Sequence, residues 1–181
     1  MIKHPLSSEV DRAGKQIKAT LKALAQFCET AQLQVVCIPP NSDPGSFEMK
    51  AILQQYAKSD WLIATGTLTR SEFVNLMRHT KVLVGNSSMG ILEAPHYKLP
   101  VVNVGNRQLG RLNAGNVEFV TYDQDQINQS LEKAVFDEGY RQKVKDLVNP
   151  YGDGSSIKKI REALESVDLS GEKWHTKRKL C

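Results

Sequence analysis

Residues 81–95 read KVLVGNSSMGILEAP, and residues 101–105 read VVNVG. An apolar run, a small polar turn, a short apolar stretch and a second apolar run predict a strand, a tight turn, a short helix and another strand. Ser87 and Ser88 place hydroxyl groups at the helix N-terminus, where free backbone N–H groups and the helix dipole favour an anion such as phosphate. Glu93, further along the helix, cannot help to bind phosphate, but it can accept hydrogen bonds from ribose hydroxyls.

The second apolar run is followed by a polar loop that carries two cations, Arg107 and Arg111. Small hydroxyl residues, one carboxylate and two arginines together suit a nucleoside diphosphate. Each residue also has a structural alternative. The serines can simply cap the helix, Glu93 and Arg107 can be exposed surface residues, and Arg111 can pair with an acidic side chain.

Strands and helices alternate along the rest of the chain. Apolar runs predict strands at 1–3, 33–38, 61–66 and 117–120, and periodic stretches predict helices at about 8–26, 123–136, 138–147 and in a last segment ending near 167. Two further helix starts are indicated, one by Asp43 before Pro44 and one by a capping box from Thr69 to Glu72. The pattern predicts an α/β fold with a Rossmann-like parallel sheet and helices on both faces, in which ligands bind at the carboxyl ends of the strands.

Composition restricts the class of protein. The chain has 181 residues, 40% of them hydrophobic, so we expect one domain over residues 1–167 and a mobile basic tail over residues 168–181. Half of the net charge of +4 lies in that tail and the rest of the chain is near neutral, which does not indicate a nucleic-acid-binding protein. Neither a signal peptide nor an apolar run of membrane-spanning length is present, so no membrane partner and a cytoplasmic location are expected. The three cysteines and four histidines are scattered, and we therefore expect no metal site.

Five motifs resemble those of the hydrolysing UDP-N-acetylglucosamine 2-epimerases, in particular the branch that serves sialic acid and related nine-carbon sugars. They occur in the family's order and spacing, which makes the set far more specific than any one of them. The motifs are His4-Pro5, PNSDPGS (40–46), GNSSMGILEAP (85–95), VGNRQLGR (104–111) and NPYGDG (149–154).

The resemblance implies the C-terminal half of a glycosyltransferase-B-type fold, in which a nucleotide sugar lies between two Rossmann-like halves. The family's proposed acid and base carboxylates belong to the N-terminal half, to which nothing in this chain corresponds. Met1 would fall inside the first strand of the second half. We therefore expect a fragment that is inactive alone, with the N-terminal domain or a separate chain carrying it as a partner, and self-association through the uncovered face.

The resemblance also implies roles for individual residues. Ser87 and Ser88 would bind the diphosphate, Glu93 the ribose, and Arg107 the phosphate oxygens, with Arg111 as a further cation. His4 would lie beside the pyrophosphate and Asn41 near the nucleotide. His4 and Arg107 would support catalysis only by stabilising the leaving group, UDP. The ligand would be UDP or UDP-N-acetylglucosamine, with no cofactor and no metal.

Two other functions are compatible with the sequence. One is a stand-alone module that binds UDP or a UDP-sugar without catalysis. The other is a half-domain of a glycosyltransferase of the same fold, against which the pairing of Gly-Asn-Ser-Ser with Gly-Asn-Arg-Gln argues. The identity of the sugar, N-acetylglucosamine or a diacetamido bacillosamine-type relative, is left open by the residues.

Overall fold

The predicted alternation of strands and helices is present in the structure, a computed structural model that describes residues 1–168 and Ser170. The strands are β1 (Val35–Cys37), β2 (Leu62–Ala64), β3 (Leu83–Gly85), β4 (Val101–Val104) and β5 (Val117–Val120). The α-helices are α1 (Ala13–Ala31), α2 (Ser46–Gln55), α3 (Arg70–His79), α4 (Met89–Leu92), α5 (Gln124–Phe136), α6 (Glu138–Asp146) and α7 (Ser156–Ser166). Two short 3₁₀ helices are added, Ser7–Arg12 and Ala94–Tyr97.

All strand pairings in the described residues are parallel. β1 pairs with β2, β3 with β4, and β4 with β5, while Ile2 forms bridges to Ile38 on one side and Gly85 on the other. The resulting order is β2–β1–residues 1–3–β3–β4–β5. If residues 1–3 are counted as the first strand, this is the order 3-2-1-4-5-6 of the doubly wound Rossmann fold. The predicted α/β fold class is confirmed.

Helices cover both faces of the sheet, as the continuously apolar strands require. Helices α1, α2 and α5 bury their apolar sides in two clusters on one face, and α3, α4 and the 3₁₀ helix that follows α4 form a third cluster on the other. At Gly85, where φ is +141°, a Cβ atom would lie 1.9 Å from the carbonyl oxygen of Ile2. Glycine is therefore needed for β3 to approach the N-terminal segment.

The predicted helix start at Asp43-Pro44 is wrong. Helix α2 begins at Ser46, with Gly45 in its N-cap position at φ +93°. A Cβ atom on Gly45 would lie 2.9 Å from Cβ of Ala13, so this turn packs tightly against the start of α1. The Asp43 carboxylate accepts instead from Asn41 Nδ2. Tertiary packing thus places the helix start two residues later than the local capping signal predicts.

Two other helix predictions agree better with the structure. The capping box from Thr69 to Glu72 is confirmed, with both reciprocal hydrogen bonds present at the start of α3. The helix predicted at 8–26 begins as a 3₁₀ helix, because Glu9 leaves helical φ and ψ, and continues as α1 to Ala31. Gln32, in the left-handed conformation, ends it.

The described residues divide into two compact units, with residues 1–150 in the first and α7 in the second. On α7 itself, Ile157, Ile160 and Leu164 are exposed. The predicted tail at 168–181 lies outside the described residues except for Asp168 and Ser170, and the domain limit at 167 stays a prediction. Within the described part of the chain, every helix is too short or too polar to cross a lipid bilayer.

Candidate nucleotide-binding site

The strand order creates a crevice between residues 1–3 and β3. From residues 1–3 the chain leads to α1 on one face of the sheet, and from β3 it leads to α4 on the other. Where neighbouring strands send their connections to opposite faces, the loops separate and leave room for a ligand at the carboxyl edge. The loops at this point begin with His4, a predicted site residue, and with Asn86, which lies inside one of the quoted motifs.

His4 and Asn86 join these two loops by a reciprocal pair of hydrogen bonds. The His4 amide donates to Asn86 Oδ1 over 2.7 Å, and Asn86 Nδ2 donates to the His4 carbonyl over 2.8 Å. The Asn86 side chain imitates a neighbouring strand at a place where the backbones have begun to diverge. Because Asn86 is only 2% exposed, water does not compete for these bonds.

The loop after β4 is attached to the same residue. Arg107 Nη1 donates to the carbonyl oxygen of Asn86 over 3.2 Å, and Gln108 Nε2 donates to it over 3.0 Å. Arg111 Nη1 donates in turn to Gln108 Oε1 over 2.8 Å. Arg107 is half-buried and uses one of its five N–H donors in this contact, which leaves a cationic fork for phosphate oxygens.

The His4 ring is held as a neutral imidazole. Nδ1 of His4 accepts from the Asn41 amide over 3.2 Å, so the remaining ring proton belongs on Nε2. Burial, and next the positive charge of Arg107, lower the pKa of His4 below its ordinary value of 6.5. A neutral ring with a fixed tautomer offers a single N–H donor to a ligand beside Arg107.

The turn at Ser87 and Ser88 has fewer free backbone N–H donors than the predicted helix N-terminus. Helix α4 is a single turn, and the amides of Gly90, Ile91 and Leu92 already donate to the carbonyls of Ser87 and Ser88. The N-cap residue Ser88 makes no side-chain cap to this helix, and the Met89 amide makes a long contact of 3.4 Å with Ser87 Oγ. A one-turn helix has a small dipole, so the attraction for an anion here rests on the serine hydroxyls and Arg107.

Glu93 has a partner that sequence reasoning missed. Its Oε2 lies 2.9 Å from Nη1 of Arg70, the first residue of α3. The capping box at Thr69 fixes where α3 begins, and so brings Arg70 to the carboxyl edge of the sheet. Both side chains remain accessible, and Glu93 keeps its second carboxylate oxygen for another hydrogen bond.

Lys3 is a second residue that the sequence analysis passed over. It is 2% exposed, and its Nζ lies 3.3 Å from the Val104 carbonyl and 4.7 Å from the centre of the Tyr122 ring. Burial lowers the pKa of Lys3 to about 7, and the Glu9 carboxylate opposes that shift. The burial of Lys3 could have been predicted from its place in a strand. Successive side chains of a strand point to opposite faces of the sheet, and in a central strand both of these faces are covered.

Comparison with known proteins identifies the family. The model of the UDP-N-acetylglucosamine 2-epimerase family matches residues 1–165, which is most of the chain. The chain belongs to this family. Its enzymes are isomerases of nucleotide sugars by name, and the predicted resemblance is confirmed.

Individual relatives agree with this assignment. The chain is 33% identical over 95% of its length to the UDP-N,N'-diacetylbacillosamine 2-epimerase (hydrolyzing) of Legionella pneumophila, of which it covers 43%. The UDP-GlcNAc 2-epimerase of Neisseria meningitidis bound to UDP-GlcNAc superposes with a TM-score of 0.73 at 21% identity, over 92% of this chain and 44% of that one. That of Methanocaldococcus jannaschii, in complex with UDP-GlcNAc and UDP, gives 0.69 at 14% identity, over 91% and 44%. The chain thus spans less than half of the length of these relatives.

In this epimerase-family chain, the predicted site residues fall into two sets. In the first set, His4 and Arg107 are linked through Asn86, Asn41 is bound to the His4 ring, and Arg111 is joined to Asn86 by Gln108. Ser87 and Ser88 follow Asn86 directly, whereas Glu93 is bound to Arg70. Asn86 itself lay inside a quoted motif without a role. The ligand-binding roles of all seven residues stay predictions.

Proposed function

We propose that this chain binds the UDP moiety of a UDP-2-acetamido sugar at the carboxyl edge of its sheet, as the nucleotide-binding half of a hydrolysing 2-epimerase. The observation that carries the proposal is the junction at Asn86, which sets a neutral His4 ring and the Arg107 fork beside each other at the switch point of the sheet. The Legionella relative named as hydrolysing and the relatives solved with UDP-GlcNAc or UDP support it.

The task of this half is to stabilise the leaving group. In the reaction implied by the resemblance, a base removes the proton at C2 of the sugar, the bond from C1 to the diphosphate oxygen breaks, and UDP departs. Water then adds to give the free 2-epimer. Arg107 and the Nε2–H of His4 would meet the negative charge that grows on the diphosphate, and prearranged donors of this kind lower the barrier without reorganising.

A titration calorimetry series tests UDP binding. We expect saturable binding that weakens by about 10-fold or more, equivalent to about 1.4 kcal/mol, in Arg107→Ala and Ser87→Ala. Arg78→Ala is the matched control, because Arg78 is exposed in the last turn of α3, away from the carboxyl edge at which that helix begins. Equal affinity for UDP in Arg107→Ala and the control would refute the proposed site.

The ribose contact of Glu93 has its own test. Glu93→Ala should weaken the binding of UDP but leave that of 2′,3′-dideoxy-UDP unchanged, because the carboxylate would accept only from the ribose hydroxyls. Parallel losses for both nucleotides would assign Glu93 to the support of α4 and Arg70 instead.

Turnover separates the enzyme half from a binding module without catalysis. The chain alone should bind UDP and not turn over UDP-N-acetylglucosamine or its diacetamido relative, since the acid and base are expected in the other half. Addition of the N-terminal half of a related epimerase should restore release of UDP. If the chain binds UDP but the added N-terminal half produces no turnover, the binding module without catalysis is favoured.

A further inference from the structure

Lys3 is a buried cation that has no part in the proposed contacts to UDP. It directly precedes His4 in the chain, and it is 2% exposed. Its Nζ donates to the Val104 carbonyl over 3.3 Å and lies 4.7 Å from the centre of the Tyr122 ring. A carbonyl dipole and the face of a ring stabilise an ammonium group less than a bonded carboxylate does, so the charge on Lys3 is only weakly compensated.

The groups around Lys3 determine how readily it holds a proton. Glu9, in the first 3₁₀ helix, attracts the ammonium without bonding to it, because its two carboxylate oxygens accept from Gln16 Nε2 and Asn106 Nδ2. Tyr122 stays a neutral phenol, since burial raises its pKa to about 12. Burial therefore outweighs the attraction of Glu9, and Lys3 loses its proton more readily than an exposed lysine.

The side chain of Lys3 supports the start of the loop that carries Arg107. Val104, whose carbonyl accepts from Lys3, is the last residue of β4 and lies three positions before Arg107. At Gly105, the next residue, φ is +95°, and a Cβ atom would lie 2.2 Å from the hydroxyl oxygen of Tyr122. The loop thus leaves β4 in close contact with the two side chains, Lys3 and Tyr122, that pack beneath it.

The charge of Lys3 also reaches the second residue proposed to meet the diphosphate. Burial and the charge of Arg107 lower the pKa of His4, the charge of Lys3 adds to their effect, and Asp43 opposes it. An anion held by His4 and Arg107 therefore comes within electrostatic reach of Lys3. Charges interact more strongly in a buried place of this kind than in water.

From this arrangement we infer that Lys3 is an internal counter-charge of the proposed diphosphate site and takes up a proton when the anion binds. The inference rests on the proposed function. The proton passes from a buffer acid to the free electron pair of Nζ, and no other bond is made or broken. Because Lys3 is buried, it acts through its field and through the loop, as a positioning residue.

Thermodynamic linkage makes the effect reciprocal. An anion that favours the charged lysine is itself bound more tightly when the lysine is charged, so the affinity for UDP should fall as the pH rises above about 7. The proton taken up and the pH dependence of the affinity are therefore two measures of one coupling.

Isothermal titration calorimetry with UDP at pH 8 counts the proton. Each protein is titrated in Tris and in HEPES, whose different heats of ionisation reveal how many protons are taken up on binding. We expect about 0.5 proton or more per UDP in the wild type, because Lys3 is mostly neutral at this pH before UDP binds. Lys3→Met should take up less than about 0.1 proton. Between pH 6.5 and pH 8.5, the wild type should lose about 5-fold more affinity than Lys3→Met.

Two further variants assign the proton. His4→Gln removes the neighbouring titratable ring, and Lys22→Met removes an equal charge from an exposed position on α1. Both should still take up about as much proton at pH 8 as the wild type. Uptake that is lost in His4→Gln but kept in Lys3→Met would assign the proton to His4 and overturn the inference.

NMR tests the same inference on the wild type, without any variant. In protein labelled with carbon-13 lysine, one Cε resonance should titrate with a midpoint near pH 7, and saturating UDP should raise that midpoint to about pH 8 or above. An unchanged midpoint in protein that binds UDP would overturn the inference and leave the proposed nucleotide site standing. A lack of UDP binding at millimolar concentration would refute the proposed site itself, and the inference with it.

Discussion

The two ends of the N-terminal segment, residues 1–3, contrast sharply although the same strands, β1 and β3, flank both. At its carboxyl end, polar side chains join the loops, with Asn86 bound to His4, Arg107 and Gln108. At its amino end, the strands face each other across an apolar cavity. Side chains of loop residues can thus replace strand pairing where the backbones diverge, as the Asn86 side chain does at the carboxyl end.

The two ends also differ in the side chains that they present. The carboxyl edge concentrates charges and polar groups that are prearranged for a ligand, whereas the cavity at the amino end is lined mainly by apolar side chains, with Gln34, His79, Thr80 and Lys81 as its polar members. Substitutions at the carboxyl end should therefore alter ligand binding and pH dependence as well as stability, whereas those at the amino end should alter stability through packing alone.

Lys3, the last residue of this segment, should give the largest effect. Its pKa is about 7 in the folded protein against an ordinary 10.5, so above pH 7 the unfolded chain holds a proton that the folded chain has lost. The free energy of unfolding should therefore rise with pH, by about 4 kcal/mol between pH 7 and pH 10 relative to Lys3→Met. Chemical denaturation of both proteins at several pH values measures it, and parallel curves would show that Lys3 is not a buried titrating group.

Asn86→Ala should have the next largest effect, because it leaves the amide and the carbonyl of His4 without partners in a buried place. We expect a loss of about 2–4 kcal/mol in the free energy of unfolding and weaker UDP binding. Asn75→Ala, at an exposed position on α3, should change stability by less than about 0.5 kcal/mol. Similar losses of stability in the two variants would show that Asn86 does not hold the loops of the carboxyl edge together.

A pair of leucines in α1 measures the packing at the amino end. Leu21 is fully buried, and Leu24, also buried, borders the cavity. Leu21→Ala should cost about 3–5 kcal/mol, and Leu24→Ala about 1–2 kcal/mol less, because Leu24 already lacks neighbours on one side. Urea denaturation gives both values. An equal cost would mean that the wall of the cavity is packed as well as the rest of the core.

The smallest effect is expected for acid stability at His4. Because its folded-state pKa is lowered, the unfolded chain takes up a proton as the pH falls through about 6.5, the ordinary value, while the folded chain resists. Stability should thus decline below that pH more steeply in the wild type than in His4→Gln. UDP should reduce this difference between the wild type and His4→Gln, because its diphosphate favours a protonated His4 ring. A difference that UDP leaves unchanged would show that His4 does not contact the ligand.

Sequence patterns predicted a structural feature correctly where that feature depends on residues close together in the chain. The strand at residues 117–120 and the capping box at Thr69 were predicted at the positions they occupy, since alternating hydrophobicity and caps act within a few residues. The cap assigned to Asp43 failed because the packing of Gly45 against α1 competes with it. The pairing of Glu93 with Arg70 could not be predicted either, because it joins separate helices across the fold.

The sequence by itself determined the fold class, the family and the edge of the sheet at which its polar loops gather, because periodicity, turn residues and motifs are written in short stretches of chain. Only the tertiary structure decided that the Asn86 carbonyl collects Arg107 and Gln108, that Lys3 is buried beside Tyr122, and that β1 and β3 enclose a cavity. These features depend on contacts between residues up to about 120 positions apart. Such contacts are set by strand order and register, which no local pattern encodes.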